Sequence, residues 1–169
     1  GGGLHLCEIK SSTGELGLKA SNATHYFGLI YIGDTNEFRK LVEADHSGIT
    51  LEQDAIAASL FEGINRSDSG LNVLIGAKKF MEGWNSWRVA SMGLLNIGRQ
   101  EGSQIIQLFG RGVRLMGKDR RLKRSEALEG SHPEHLRLLE TLNIWDGCWS
   151  SQKFMGSGIP VLYWGRGER

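Results

Sequence analysis

The sequence predicts an α/β domain with a mainly parallel sheet covered by helices on both faces. Three observations predict it: short apolar runs rich in β-branched and aromatic residues and closed by turn residues, intervening segments with helical spacing, and the regular alternation of the two along 169 residues. Parallel neighbours need crossover connections, so alternating strands and helices lay the helices on the sheet. The chain is long enough to bury a proper core.

In chain order, Leu4 to Ile9 supplies a first strand, and residues 1–24 as a whole form a segment with no readable motif. Lys10, Glu15 and Lys19 fall in its glycine- and serine-rich part. His25 to Ile32 (HYFGLIYI) reads as a buried strand ending at Gly33-Asp34. Asp34 or Thr35 can cap a helix over 36–43, where Phe38, Leu41 and Val42 recur at helical spacing. Leu51 to Asn65 predicts a second amphipathic helix, ended by Arg66-Ser67-Asp68-Ser69-Gly70. Leu71 to Ile75 is the next strand, and Arg88 to Ile97 (RVASMGLLNI) another, followed by a turn at 98–102 and a helix from Ser103 to Leu115.

Beyond Leu115 the character changes. Lys118, Arg120, Arg121, Lys123 and Arg124 crowd one segment, and a helix is expected from Pro133 to Leu142. From Trp145 to Arg169 the chain holds three of its five tryptophans and five glycines without periodicity, so an irregular tail is expected there. The divisions are thus 25–117 for the α/β lobe, 118–144 for the basic segment and helix, and 145–169 for the tail.

Composition excludes several classes. Lys and Arg number 20 against 19 for Asp and Glu, a net charge of +1, so any contact with nucleic acid must be local. Cys7 and Cys148 form neither a disulfide framework nor a zinc quartet, and no apolar run approaches the ~20 residues of a membrane span or follows the pattern of a secretion signal. The expected setting is cytoplasmic and away from membranes. Asn22-Ala23-Thr24 and Asn65-Arg66-Ser67 match the glycosylation pattern and read as chance in that setting. A chain that opens on Gly1 rather than Met is expected to be a piece of a longer polypeptide.

The residues most able to carry chemistry are Gln107-Leu108-Phe109-Gly110-Arg111-Gly112-Val113-Arg114. On a helix, Gln107, Arg111 and Arg114 fall on one face, with Ile105, Leu108, Phe109 and Val113 on the other. The plain alternative is a solvated face. Gly110 and Gly112, each costing about 1 kcal/mol against alanine inside a helix, point instead to something that must come close to the backbone. Two guanidinium forks on such a face suit a polyphosphate.

Gln107-x-x-Gly110-Arg111-x-x-Arg114 resembles motif VI of the superfamily 2 helicases and translocases (Q-x-x-G-R-x-x-R). Phe80-Met81-Glu82-Gly83-Trp84-Asn85 resembles their motif V in its E-G-W-D form, and Ile30 to Asp34 is similar in place to motif IV. The stretch from Asn72 to Arg124 looks most like the helicase subunit of type III restriction enzymes and related DEAD/DEAH-box proteins, and the likeness covers about residues 25–144. It implies a RecA-like, P-loop NTPase-type three-layer domain, the second motor lobe of such an enzyme. It implies Arg114 as the arginine finger, Arg111 as a second phosphate or inter-domain contact, and Gln107 as their polar partner. Gly83, Asn85 and Gly110 would face the nucleotide. Trp84, Lys118, Arg120 and Arg121 would face nucleic acid, although packing of Trp84 and Trp87 on their own sheet, and a solvated charge run at 118–124, are the simpler alternatives. Asn85 departs from the family's commoner Asp.

No phosphate loop and no acidic magnesium motif occurs in the chain; Gly76-Ala77-Lys78-Lys79 and Gly117-Lys118 are poor substitutes. The resemblance therefore implies ATP and Mg2+ held by an absent N-terminal RecA-like lobe, with the chain alone inactive. The implied partners are DNA, with RNA open, that first lobe, and a restriction-modification methylase subunit. His132-x-x-His135 has metal spacing but lacks a third ligand. In the resembling family, 139–144 leads into a further helical region, so the Trp- and Gly-rich continuation from about Trp145 is expected to be a truncation or reading-frame change. The other class of function is a nonenzymatic α/β module that binds nucleic acid or a protein through the basic face of 103–124.

Overall fold

The computed structural model describes residues 2–45, 48–76, 85–95, 102–114, 116–147 and 161–165. Its strands are β1 (Leu4–Ile9), β2 (Glu15–Ala20), β3 (Gly28–Tyr31), β4 (Thr50–Asp54), β5 (Val73–Gly76), β6 (Val89–Leu95), β7 (Asn143–Gly147) and β8 (Val161–Gly165). Helix α1 (Thr35–Ala44) follows β3, α2 (Gly102–Gly112) follows β6, and the short α3 (Leu136–Leu139) precedes β7. The strands form one sheet in the order β4-β1-β2-β3-β5-β8-β6-β7. β1 and β2 pair antiparallel, as do β2 and β3, whereas β1 with β4 and β3 with β5 pair parallel. β8 runs antiparallel to both β5 and β6, and β6 pairs parallel with β7.

Followed across the sheet, these pairings make β1, β3, β4, β5, β6 and β7 run one way and β2 and β8 the other. The class is α/β with a mixed sheet, in which the expected parallel set is interrupted by two reversed strands. The first enters through the tight β1–β2 connection, the second through the tail.

Alternation along the strands divides the core between two faces. Leu29, Leu74, Met92 and Leu94 pack with Leu108 of α2 and with Ile64 and Leu71. On the opposite face Leu6, Leu16, Leu18 and Ile30 pack with Val42 and Phe38 of α1. Val89 and Met92 share the first core despite odd separation, because a register irregularity between Val89 and Ser91 turns the strand over. Asp34 caps α1, its Oδ1 accepting from the Asn36 and Glu37 N–H groups at 2.9 and 3.2 Å.

Four expectations are corrected. Residues 51–65 are not a helix: 50–54 is strand β4, and the remainder is turns. The Asp54 carboxylate accepts from Ile56 and Ala57 N–H at 2.9 and 2.8 Å, which closes a turn where a helix would have continued, and Ile56, expected on a buried face, is 97% exposed. Helix α2 ends at Gly112 and not at Leu115, leaving Arg114 beyond the last turn and Val113 largely exposed rather than facing the core. The helix expected over 133–142 is reduced to Leu136–Leu139. The tail is not irregular throughout, because 143–147 and 161–165 are strands. The run Val161-Leu162-Tyr163-Trp164 has strand composition, and its place between β5 and β6 is a tertiary matter that no local pattern announces. No helix among the described residues is long and apolar enough to cross a membrane.

Candidate functional site

Of the sequence-predicted residues, the structure brings Arg114 and Asn85 together, close to where β6 begins. α2 runs back along β6 with Leu108 fully buried and Ile105 and Phe109 packed against the core, so Gln107 and Gly110 are left facing outward. Arg111 is half-buried. The helix closes with an α-type hydrogen bond from Val113 N–H to Phe109 O at 3.0 Å and a tighter one from Arg114 N–H to Arg111 O at 3.4 Å, after which the chain turns away. This exit carries the half-buried Arg114 to Asn85, whose side-chain Oδ1 accepts a hydrogen bond from Nη1 of Arg114. Gln107 makes no hydrogen bond to either arginine among the described residues. Gly83 and Trp84 lie outside the described residues, as does the rest of 77–84.

The two helix glycines separate on inspection. A Cβ on Gly112 would stand 2.7 Å from Leu142 Cδ2 and 3.2 Å from Met92 Cε, so internal packing accounts for glycine there and any larger residue must push these side-chain ends aside. A Cβ on Gly110 would meet nothing within 4 Å. The cost of glycine at 110 has no return among the described residues, and the open face in front of it can admit another molecule.

Asn85 is also held from behind. Asn65 Nδ2 donates to the Asn85 backbone oxygen at 2.5 Å. Arg88 anchors the loop that bears Asn65, with Nη1 donating to Ile64 O at 3.0 Å and Nη2 to Leu71 O at 2.9 Å. Trp87 is half-buried between these residues in sequence, and Ser86 Oγ accepts from Arg88 N–H at 3.2 Å.

The basic segment is built on a local outlier. Asp119 and Arg120 both have positive φ, 59° and 58°, in a 3-10 turn at 118–120 closed by Gly117 N–H to Arg121 O at 2.9 Å. Non-glycine residues in this region carry strain of order 1 kcal/mol each. The turn leaves Arg120, Arg121, Lys123 and Arg124 exposed. Glu140 pins the end of the segment: its carboxylate accepts Ser125 N–H at 2.9 and 3.0 Å and Ser125 Oγ at 2.8 Å. His132 and His135 are exposed, and no group of three or more potential metal ligands occurs among the described residues.

Sequence reasoning missed two polar clusters in the first 60 residues. Glu15, 1% exposed, accepts from Ser12 Oγ at 2.7 Å and Ser59 Oγ at 2.6 Å on one oxygen, and from Leu60 and Phe61 N–H at 2.7 and 3.4 Å on the other. Near the sheet edge, Glu52 meets Lys19 Nζ at 3.1 Å, His5 Nδ1 at 2.6 Å and Cys7 Sγ at 3.4 Å. Lys19 and then His5 hold the Glu52 carboxyl below the usual carboxylate range, while burial pushes the Cys7 thiol up. Tyr26 O–H donates to Asp54 Oδ2 at 2.5 Å, which lowers the Asp54 pKa. Period-two alternation places His5, Cys7, Lys19 and Glu52 on one sheet face, but only the β4-β1-β2 pairing makes them neighbours, so no spacing along the chain could have disclosed them.

No family model matches the chain, and neither a curated protein nor a solved structure is significantly similar to it.

Proposed function

We propose that this chain is the C-terminal motor lobe of an ATP-dependent nucleic-acid helicase or translocase of the restriction-enzyme kind, donating arginines to ATP held by a phosphate-loop lobe. The observation that carries the reading is the bond between Arg114 and Asn85, 29 positions apart, which joins the residues that resemble motif VI and motif V. A solvated helix face would give Arg114 no reason to leave α2 for that partner.

The donor set suits a polyphosphate approached from one side: guanidiniums at the end of α2, a glycine with open space before it, and no phosphate loop in the chain. Bound across the lobes, ATP with Mg2+ would supply the phosphoryl group to be transferred. The part of this chain is positional. The neutral amide of Asn85 holds the Arg114 side chain in one place at the surface, and phosphate oxygens outcompete it for the guanidinium because they carry charge and can accept two parallel N–H bonds. Gly110 allows the close approach this requires. Arg120 and Arg121, with Lys118, offer phosphate contacts to DNA.

The test is ATP hydrolysis by the motor containing both lobes, with and without duplex DNA, for wild type and Arg114→Ala. An arginine finger is worth 10³- to 10⁵-fold, so DNA-stimulated turnover should fall by about a thousandfold or more while ATP binding survives. Normal hydrolysis in the variant sinks the reading. The exposed basic segment favours one alternative, a nonenzymatic module that binds nucleic acid, which predicts DNA binding with no associated hydrolysis.

A further inference from the structure

We infer that Asn65 is a positioning residue that sets the place of Arg114 through Asn85. The inference rests on the motor reading for its consequence in turnover, and on geometry alone for the positioning itself. Asn65 belongs to none of the helicase-like motifs, and its one sequence signal, Asn65-Arg66-Ser67, matches only a glycosylation pattern. In the fold its amide nitrogen is engaged by the backbone oxygen of Asn85 at 2.5 Å. That bond fixes the peptide from which the Asn85 side chain rises, and the Oδ1 of that side chain receives Arg114.

The base of the relay is anchored in the core. Ile64, adjacent to Asn65, is 7% exposed in the core shared with α2, and its carbonyl is gripped by Arg88. A second tie from Arg88 to Leu71 O closes the loop that carries Asn65, so the amide is presented from a loop tied to the core at both ends. By contrast Asn65 and Asn85 are themselves exposed, and neither fills a core site. The bond between them therefore orients a functional side chain more than it supports the fold. Phosphates could reach Arg114 without Asn65, but from an arginine with many rotamers instead of one.

Two variants test this in the intact chain: Asn65→Asp, which keeps the shape and removes the donor, and Asn65→Ala. The readout is the set of guanidinium NMR signals of Arg114, compared with those in Asn85→Ala, alongside the melting temperature. The expected result is that both Asn65 variants move the Arg114 signals toward those of Asn85→Ala while the melting temperature stays within about 2 °C, as for a surface substitution. In the two-lobe motor the same variants should lower kcat for ATP hydrolysis by roughly 3- to 10-fold, the worth of one hydrogen bond, with KM unchanged. Unchanged Arg114 signals overturn the inference. Unfolding of both variants overturns it as well, since Asn65 would then hold the fold and not the arginine. A KM effect without a kcat effect contradicts the positioning role. Should Arg114→Ala hydrolyse ATP normally, the motor reading fails and the NMR comparison still decides whether Asn65 places Arg114.

Discussion

Gly112 lies so close to Leu142 that a Cβ at position 112 would stand 2.7 Å from Leu142 Cδ2 and 2.9 Å from Cδ1. Two residues earlier, Gly110 faces open space. Opposite consequences are expected. Gly112→Ala should lower stability by about 1–3 kcal/mol through overpacking against Leu142 and Met92. Gly110→Ala should raise stability by about 0.5–1 kcal/mol through helix propensity, and in the two-lobe motor should reduce turnover. Chemical denaturation and ATPase assays on the pair check both, and full activity in Gly110→Ala would remove the case for close approach at that face.

Glu15 is buried with both carboxylate oxygens occupied by donors from 12 and 59–61. Glu15→Ala leaves the Leu60 and Phe61 N–H groups and two hydroxyls without their acceptor, and should cost about 2–4 kcal/mol. Glu15→Gln keeps one acceptor oxygen and should cost less. Urea unfolding measures both, and equal stability of wild type and Glu15→Ala would show that water replaces the carboxylate.

The acid limb of stability should depend on Tyr26. Its hydroxyl, followed by the Ala57 N–H, holds the Asp54 pKa below its ordinary value. At a given pH in this range the unfolded chain binds more protons at Asp54 than the folded chain, so stability rises with pH. The contribution is present above the unfolded pKa, about 3.9, and is lost as pH falls through the lower folded value. Tyr26→Phe should flatten that limb while leaving the slope above about pH 6 unaltered. Thermal melts from pH 2 to 7 would settle it, and parallel curves for the two proteins would rule the Tyr26 contribution out.

If the exposed basic turn contacts nucleic-acid phosphates, Arg120→Ala and Arg121→Ala should weaken duplex binding alike for all sequences. Each should reduce the slope of log affinity against log salt by about 0.9. Fluorescence anisotropy across a salt series reads this directly. An unchanged slope assigns the segment to solvent.

Local chemistry made much of this protein legible in its sequence. Strands β1, β3, β5 and β6 are short runs rich in apolar residues, α1 has its aspartate cap, and Gln107, Gly110 and Arg111 lie on a helix that ends just before Arg114. Those features depend on neighbours within a few residues, which is why they can be read in order along the chain.

Tertiary pairing decided the remainder. Residues 51–65 have the spacing of an amphipathic helix, yet β1 offers Thr50–Asp54 a parallel partner and Glu15 collects the N–H groups of Leu60 and Phe61, both from more than 40 positions away. The reversed strand β8, the close packing of Leu142 on Gly112, and the approach of Asn65 to Asn85 likewise join distant segments. By itself the sequence determined which segments could become strands or helices and where two arginines stand at helical spacing beside a glycine. Which acceptor each donor met, and which glycine was left with empty space before it, was settled only when the sheet closed, because hydrogen bonds and van der Waals contacts act over a few ångströms and not along the chain.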